Sequence, residues 1–524
     1  MSVASAPARA GGALAPRVAV ASTLLVYAVV QAVAWIYVGG FEYPIDDVYI
    51  HLALAEQIAA GNYGVNPGEI ASPASSPLYP LLLVPFAGTE AQRLLPALWN
   101  LAGLVAAAAL FGRLLVQAGL SAPAAIAAAA LAPVAFNLAG IAVLGMEHSL
   151  HLAASLAVLS GLATALRQER VPPLLVAGVL LAPAFRPEGL ALALAAVGCL
   201  LLRGRVAAGV GLGALACLPL ALLAAGLLAL GLDPLPSSVL TKLDTGGGGP
   251  LAGMAQNLSY PAGALLAGLS AVCAVAAALA FAAGRAEAGW IALVAAAAGA
   301  AHVVVGRDSL LARYEPYAVA VVLAGLLFAL AGAERRARIG IAALALALAA
   351  PLSWYYVANS LRTLPPNALA IRLQQVQMAR FAQDYAGAPV AVNDLGAVAW
   401  TNPHPVLDLW GLASPDARRI RLSDPAPGWA GPLAERHGVE IAMIYDEWLG
   451  AAVGADWLRL GHLAFDLADP RIAGALVGVP LTLGGSTVDF YATDPDAAPR
   501  LRAALAAWSA TLPDGALFVP EGGG

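Results

Sequence analysis

The sequence predicts a polytopic α-helical membrane protein with an extracytoplasmic α/β domain at its C-terminus. Three observations support this fold class. Hydrophobic residues make up 60% of the 524-residue chain, and charged residues make up only 11%, whereas about 25% is usual in soluble proteins. After about residue 358, charged and turn residues become frequent. We therefore divide the chain into a membrane part, 1–357, and a soluble domain, 358–524.

Eleven apolar segments are predicted to cross the membrane as helices, because a crossing requires about 20 apolar residues. The first is too long for the apolar core of a cleaved signal peptide and is interpreted as an uncleaved anchor. The fifth and sixth are short for full crossings, and the run 78–88 is interpreted as re-entrant or interfacial. The predicted spans are 18–40, 92–117, 122–143, 148–166, 172–185, 188–202, 206–230, 261–283, 289–305, 315–332 and 338–357.

The charged residues orient these spans. With the N-terminus inside, the short cytoplasmic segments are rich in arginine, as the positive-inside rule requires. The first outer loop, 41–91, the loop 231–260 and the C-terminal domain then lie outside the cytoplasm. Most acidic residues of the membrane part fall on this outer side, so the candidate chemical groups also face outward. A net charge of -5 without a basic run argues against nucleic acid as a partner.

The first outer loop contains two adjacent carboxylates, Asp46 and Asp47, followed by His51. The segment 47–60 has an amphipathic pattern, which predicts a short helix on the membrane surface with both acids at its N-terminus. Adjacent acids can act separately, one as a general base and the other in orienting an acceptor or a cation. The alternative interpretation is a solvated loop without chemistry.

Asn66 and Glu69 follow in the turn-rich run NPGE, where they either form the floor of a sugar pocket or hold the loop together. Glu147 and His151 are four residues apart and share a helix face, with His148 between them. Their spacing matches no recognised zinc motif, so we expect hydrogen bonding near the acids rather than a metal site. No cofactor is indicated, although a divalent cation at the acid pair stays open.

Arg186 and Glu188 lie between two short spans. An arginine at membrane depth requires a partner, so Arg186 either pairs with Glu188 or forms an anion site at a helix start. Lys242 and Arg313 are further outer cations that could bind a phosphate, and Arg307 is another.

In the soluble domain, short apolar runs at 389–392, 439–444 and 487–491 predict strands. Helical stretches at 366–386 and 497–510 alternate with them, which indicates an α/β arrangement. The runs NDLGAVAW and LDLWGLASP each place a carboxylate in a turn after an apolar run. Trp400 and Trp410 in these runs could stack on a sugar, or they could simply pack the domain.

Several of these motifs together resemble a known family. The runs DDVYIHLALAEQIAAGNYGVNPGE, SSPLYP, GMEH, RPEG and ARYEPY resemble the GT-C class of membrane glycosyltransferases, with the closest likeness to the bacterial arabinofuranosyltransferase type. The resemblance implies a sugar donor linked through phosphate to a polyprenyl lipid and a glycan or glycolipid acceptor. It also implies catalysis at the outer face of the bacterial inner membrane.

Asp46 and Asp47 match the first and second acidic positions of that family. We expect Asp46 to act as the general base of an inverting single displacement, with Asp47 orienting the acceptor or a cation.

Two other classes of protein are considered as alternatives to a glycosyltransferase. A transporter or flippase of a lipid-linked sugar would bind near the bilayer midplane between structural repeats, and the sequence shows no repeat. A membrane-anchored glycan-binding protein would not need eleven spans.

Overall fold

The structure is a computed structural model that describes residues 7–168, 170–245, 249–307, 311–423 and 425–522. Among the described residues, all regular secondary structure before residue 387 is helical, and a six-stranded sheet with surrounding helices follows. The chain therefore has the helical membrane part and the C-terminal sheet domain that its composition predicts.

Each predicted span coincides with helical structure. In the described ranges, seven helices are long and apolar enough to cross a membrane, and four shorter apolar helices accompany them. That all eleven cross the bilayer stays a prediction. The helices at the predicted spans are Pro7–Val38, Leu95–Gln117, Ala122–Ala135 with Leu138–Val143, His148–Gln168, Pro173–Phe185, Gly189–Leu202, Val206–Ala229, Pro261–Ala282, Ala286–Val305, Pro316–Ala331 and Arg335–Tyr356.

The third predicted span, 122–143, is wrong as a single helix. Helix Ala122–Ala135 ends after Pro133, a residue that weakens the helix around it. Asn137 then takes a left-handed conformation with φ 52°, which asparagine tolerates better than most residues. A second, short helix, Leu138–Val143, starts directly after it.

At each end of the helical part, an ion pair joins two residues that the predicted topology places on the same side of the membrane. At the end assigned to the cytoplasm, Arg167 Nε lies 2.7 Å from a carboxylate oxygen of Glu287. At the other end of helix His148–Gln168, Arg186 lies 2.6 Å from Glu147. The grouping of helix ends therefore agrees with the charge pattern, and the side of the membrane that each end faces stays a prediction.

The outer loops contain short helices. The run 78–88 forms the short helix Tyr79–Leu82 followed by turns, so it is not a continuous span. The short helix predicted over 47–60 is confirmed as Asp47–Ala59, but its expected amphipathic character is wrong, because every residue from Val48 to Ala55 is buried. The C-terminal domain covers this helix. The loop helices are Asp47–Ala59, Tyr79–Leu82, Gln92–Leu94, Ser237–Thr245 and Gly249–Ser259.

The C-terminal domain is built on a mixed sheet in the order β2-β1-β3-β5-β4-β6. Strands β2, β1 and β3 are parallel to one another, and β5, β4 and β6 continue the sheet in antiparallel fashion. The three predicted strands are confirmed as β1, β3 and β5. The strands are β1 Val390–Val392, β2 Val406–Asp408, β3 Ile441–Ile444, β4 Leu458–Phe465, β5 Thr487–Ala492 and β6 Ala516–Pro520.

Helices pack around this sheet and join it to the membrane part. The predicted helical stretches 366–386 and 497–510 are confirmed, the first as three consecutive segments. The helices are Val357–Leu361, Leu364–Leu373, Gln375–Phe381, Ala382–Ala386, Gly396–Ala399, Pro415–Leu422, Gly431–Arg436, Asp446–Leu449, Gly450–Ala452, Pro470–Leu476, Pro495–Ala497 and Ala498–Ser509.

The first outer loop and the C-terminal domain share one hydrophobic core. Tyr49 and Tyr79 from the loop belong to the same buried cluster as Phe381 and Trp508 from the domain. Burying a large apolar side chain contributes roughly 1.5–3 kcal/mol, so such a shared core fixes the two parts against each other. The sheet domain is therefore docked onto the first outer loop rather than attached only through the chain.

Candidate functional site

A cavity of about 210 Å³ lies where the first outer loop, the outer helix ends and the C-terminal domain meet. The polar groups predicted from three distant parts of the sequence converge on it. Its lining residues are Asp47, Ile50, His51, Pro73, Ser75, Met146, Arg186, Ser238, Thr241, Arg313, Tyr314, Trp410 and Leu412. The first outer loop, the helix ends and the C-terminal domain each contribute residues to the cavity wall.

Asp47 and Arg313 form an ion pair on the wall of this cavity, with 2.9 Å between Oδ2 and a guanidinium nitrogen. Asp47 is the first residue of helix Asp47–Ala59, where the helix dipole favours a negative charge. Its side chain is 38% exposed, whereas that of Arg313 is 13% exposed. The carboxylate thus reaches the cavity while the guanidinium stays largely enclosed behind it.

The segment before Arg313 is held in a strained conformation. Leu311 and Ala312 both have left-handed backbones, with φ 66° and 49°, a region that costs residues with a Cβ roughly 1–2 kcal/mol each. The Asn137 side-chain amide donates to the Ala312 carbonyl at 3.0 Å and to Ser360 Oγ at 2.9 Å. The break in the third span therefore supplies the group that fixes the direction of Arg313, and strain of this kind is concentrated at functional sites.

Arg186 lies at the base of the cavity between two carboxylates. Its guanidinium donates to Glu147 at 2.6 Å and to Glu188 at 2.9 Å. Both the expected pair with Glu188 and a position in the cavity are therefore observed. His51 adds to this network, since its Nε2 lies 3.8 Å from Glu147.

Tyr314 connects the two arginines. The guanidinium carbons of Arg186 and Arg313 lie 4.6 Å and 5.1 Å from the centre of its ring, within the distance at which a cation is attracted by an aromatic face. His148 is stacked on the same ring at 5.5 Å. Two guanidinium groups thus lie close together at the cavity wall, and each is paired with at least one carboxylate of the site.

A second cavity of about 240 Å³ shares Ser75, Arg186 and Tyr314 with the first. Beyond this common wall, it is lined by Glu188, Arg307, Val239 and Val305, among others. Val305 ends the apolar helix Ala286–Val305 and is 67% exposed. The second cavity therefore leads from the arginines toward the exposed apolar surface of the helices.

Asp46 has a different environment from its neighbour. Its two carboxylate oxygens accept backbone N–H groups from Gly396, at 2.7 Å, and Ala397, at 2.9 Å. Burial, with the nearby Asp394 carboxyl, raises the pKa of Asp46, which favours its protonated form. A Cβ on Gly396 would lie 2.6 Å from an Asp46 carboxylate oxygen, so this approach requires glycine. Asp46 joins the loop to the domain and does not line the cavity.

The carboxyl ends of the parallel strands face the acid pair, which is the edge where ligands bind in sheets of this kind. Asp408 ends β2 and accepts the backbone N–H groups of Trp410 and Ala413, each at 2.8 Å. This turn presents Trp410 to the cavity. Arg421 supports the indole from another side, 4.0 Å from the ring centre, and Trp448 lies 5.0 Å away.

Asn66, Glu69 and Trp400 hold the loop against the domain and are not among the lining residues of the cavity. The Asn66 amide pairs with both backbone groups of Val406 at 2.8 and 2.9 Å, and so covers edge strand β2. Glu69 accepts from Asn66 at 2.8 Å. Trp400 is buried and donates to Gln92 at 2.9 Å. The sugar-pocket interpretation of these residues is therefore replaced by a structural one.

Other predicted residues divide between the site and its support. His148 and Glu147 are buried beneath the cavity, and Lys242 belongs to helix Ser237–Thr245, with a side chain outside the described residues. Sequence reasoning did not single out Tyr314, although it lies within the ARYEPY motif beside Arg313. Among the residues that the structure describes, no three His, Cys, Asp or Glu side chains are grouped as a metal site would require.

Comparison with known proteins concerns the C-terminal domain. Residues 367–491 match a family model described as a domain of unknown function (DUF8728). No curated protein matches the chain. The matched segment includes the turn 408–413 that carries Trp410, and the acid pair and the arginines of the cavity lie outside it.

Proposed function

We propose that this protein is a GT-C-like glycosyltransferase that moves a sugar from a polyprenyl-phosphate donor to a hydroxyl group of a cell-envelope glycan or glycolipid. The supporting observation is the cavity that brings the Asp47 carboxylate together with Arg186 and Arg313. The proposed location is the outer face of a bacterial inner membrane, and arabinofuranose is the first donor sugar to test.

The reaction requires a base on the acceptor and cations on the departing phosphate. The acceptor oxygen attacks the anomeric carbon, and the bond from that carbon to the phosphate oxygen breaks. Its electron pair leaves with the polyprenyl phosphate, while the acceptor proton passes to a carboxylate. Arg313 and Arg186 are suited to the phosphate, because guanidinium groups bind its oxygens through charge-assisted hydrogen bonds.

The geometry favours Asp47 as the base, in place of Asp46. A general base must reach the proton it removes, and Asp47 lines the cavity whereas both oxygens of Asp46 accept backbone N–H groups. Arg313 holds Asp47 in place. When phosphate binds, Arg313 can interact with both groups, so its position between base and leaving group suits the displacement.

The second cavity suits the lipid part of the donor. It continues from Arg186 to Val239 and the exposed Val305, so a phosphate at the arginines would direct its polyprenyl chain along apolar helix surface. Trp410, on the domain side, offers an aromatic face to a sugar ring. The C-terminal domain thus contributes to substrate binding in this proposal.

Transfer of label from defined donors tests the function. The purified full-length protein in lipid nanodiscs would be given tritium-labelled polyprenyl-phosphoryl arabinofuranose, with the mannose and glucose counterparts, and a bacterial envelope glycan extract. We expect label in the glycan fraction with the anomeric configuration inverted, and transfer slowed by about 10²–10⁴-fold with Asp47→Asn. Movement of intact donor across the bilayer of a proteoliposome without transfer would instead identify a flippase.

A further inference from the structure

A polar groove of about 750 Å³ lies beside the cavity, between the loop after helix Val206–Ala229 and helix Pro415–Leu422. Its volume is within the usual range of small-molecule sites. The lining combines charged groups, hydroxyls and small residues. They include Ser72, Asp233, Ser237, Arg418 and Arg419.

The groove and the cavity meet at one contact between two outer loops. The backbone N–H of Ser237 donates to the Ser72 carbonyl at 3.0 Å, and their hydroxyls lie 3.3 Å apart. Ser72 and Ser237 line the groove, while the next residues, Pro73 and Ser238, line the cavity. A chain lying in the groove would therefore end beside the cavity.

One part of the C-terminal domain borders both the groove and the cavity. Gly411 follows Trp410 and has φ 92°, and a Cβ at this position would lie 2.5 Å from the Cβ of Arg418. The turn carrying Trp410 therefore packs directly on helix Pro415–Leu422. Trp410 faces the cavity and Arg418 faces the groove, so one rigid unit borders both.

The charges of the groove favour an anionic ligand. Arg418 pairs with Asp233 at 2.9 Å, which balances one positive charge. Arg419 remains 76% exposed in the groove, and its partner Asp416 also lies near Arg436. Among the described lining residues, two guanidiniums thus face one carboxylate. Guanidinium groups bind carboxylates and phosphates in a planar, two-pronged geometry, and the serine hydroxyls can bond sugar hydroxyls.

We propose that this groove binds an anionic stretch of the acceptor glycan, carrying carboxylate or phosphate groups, and leads its growing end to the cavity. The inference rests on the proposed function for calling this glycan the acceptor. The binding itself depends only on the groove, and it can be measured without a donor or a transfer reaction.

Direct binding to the full-length protein in nanodiscs tests the proposal. The probes are oligogalacturonate for carboxylates, a phosphomannan fragment for phosphates and maltopentaose as the uncharged reference. Arg419→Glu should weaken binding of the anionic probe at least about tenfold, because it places like charges together. Arg436→Glu is the matched control, since Arg436 also lies near Asp416 but does not line the groove, and it should weaken binding several-fold less than Arg419→Glu.

Tighter binding of either anionic probe than of maltopentaose would support the groove proposal, provided that Arg419→Glu abolishes this preference and Arg436→Glu does not. The probe that is preferred would show whether the groove binds carboxylates or phosphates. Equal binding of all three probes, or equal effects of the two variants, would overturn it. If the anionic probe binds as expected while no donor is used in the transfer assay, the proposed function fails and the groove stands. If the protein transfers sugar to a glycan and neither anionic probe competes with that glycan, the proposed function stands and the groove proposal fails.

Discussion

Replacing Asp47 by asparagine separates chemistry from stability more cleanly than any other single change. The variant keeps the shape of the side chain but cannot accept the acceptor's proton. A positioned general base contributes about 10²–10⁴-fold, so we expect turnover of a donor that the wild type uses to fall by about that factor, equivalent to roughly 3–5 kcal/mol of barrier. Donor binding should persist, because Arg186 and Arg313 remain.

The same change should lower stability only in part. Asp47 pairs with Arg313 at 2.9 Å, and its side chain is 38% exposed whereas that of Arg313 is 13% exposed, so the loss should lie between the about 0–1 kcal/mol of an exposed pair and the about 3–5 kcal/mol of a buried one. Thermal unfolding in nanodiscs should therefore show a lowered midpoint for a chain that is still folded. Single-turnover transfer of labelled sugar gives the rate of the chemical step, and a separate measurement gives the donor Kd. A lower rate at an unchanged donor Kd identifies Asp47 as the base.

Asp46→Asn is the comparison. It replaces one of the two oxygens that accept from the Gly396 and Ala397 N–H groups by an NH2 donor, which leaves one of those N–H groups without its acceptor at a cost of about 1–3 kcal/mol. We expect easier proteolysis at the junction of loop and domain, and Gly396→Ala should show the same defect. Wild-type turnover in Asp47→Asn, together with a pure rate defect in a fully folded Asp46→Asn, would refute our assignment and return Asp46 to the role of base.

Three further predictions concern the site and the membrane topology. Arg186→Gln should destabilise the protein by about 3–5 kcal/mol, because it leaves Glu147 buried without its cation, and thermal unfolding would detect this. Trp410→Ala should raise the acceptor KM about two- to tenfold with kcat little changed, as expected for a lost aromatic contact; equal losses of both would argue against stacking. In a chain lacking its native cysteines, Asp514→Cys should label in intact spheroplasts and Arg336→Cys only after lysis.

The sequence was most informative where local pattern determines structure. Long apolar runs must form helices in a bilayer because their backbone groups need internal partners, which explains the agreement of the eleven predicted segments with helices. The apolar runs of β1, β3 and β5 were recognisable for a similar reason. The short strand β2, at the edge of the sheet, and the break at Asn137 lack such a signal.

The site was only partly predictable because its residues are distant in sequence. Asp47, Arg186 and Arg313 were found from their charge at predicted outer helix ends. The sequence pattern favours Asp46 as the base, and only the distant Gly396 and Ala397 reveal that both of its oxygens already accept backbone N–H groups. The burial of helix Asp47–Ala59 depends likewise on the C-terminal domain, whose docking no local periodicity reveals.

The docking of Asp46 has a consequence for biosynthesis. Asp46 and the Gly396 backbone that it binds are 350 residues apart, so the first outer loop leaves the ribosome long before its cover exists. At about 5–20 residues per second, that interval is roughly 20–70 s. During this time, the apolar side chains of the loop, including Tyr49 and Tyr79, are without their final core. The order of synthesis therefore keeps the cavity unfinished until nearly the whole chain has been made, so chains truncated before residue 396 would lack the backbone that Asp46 binds.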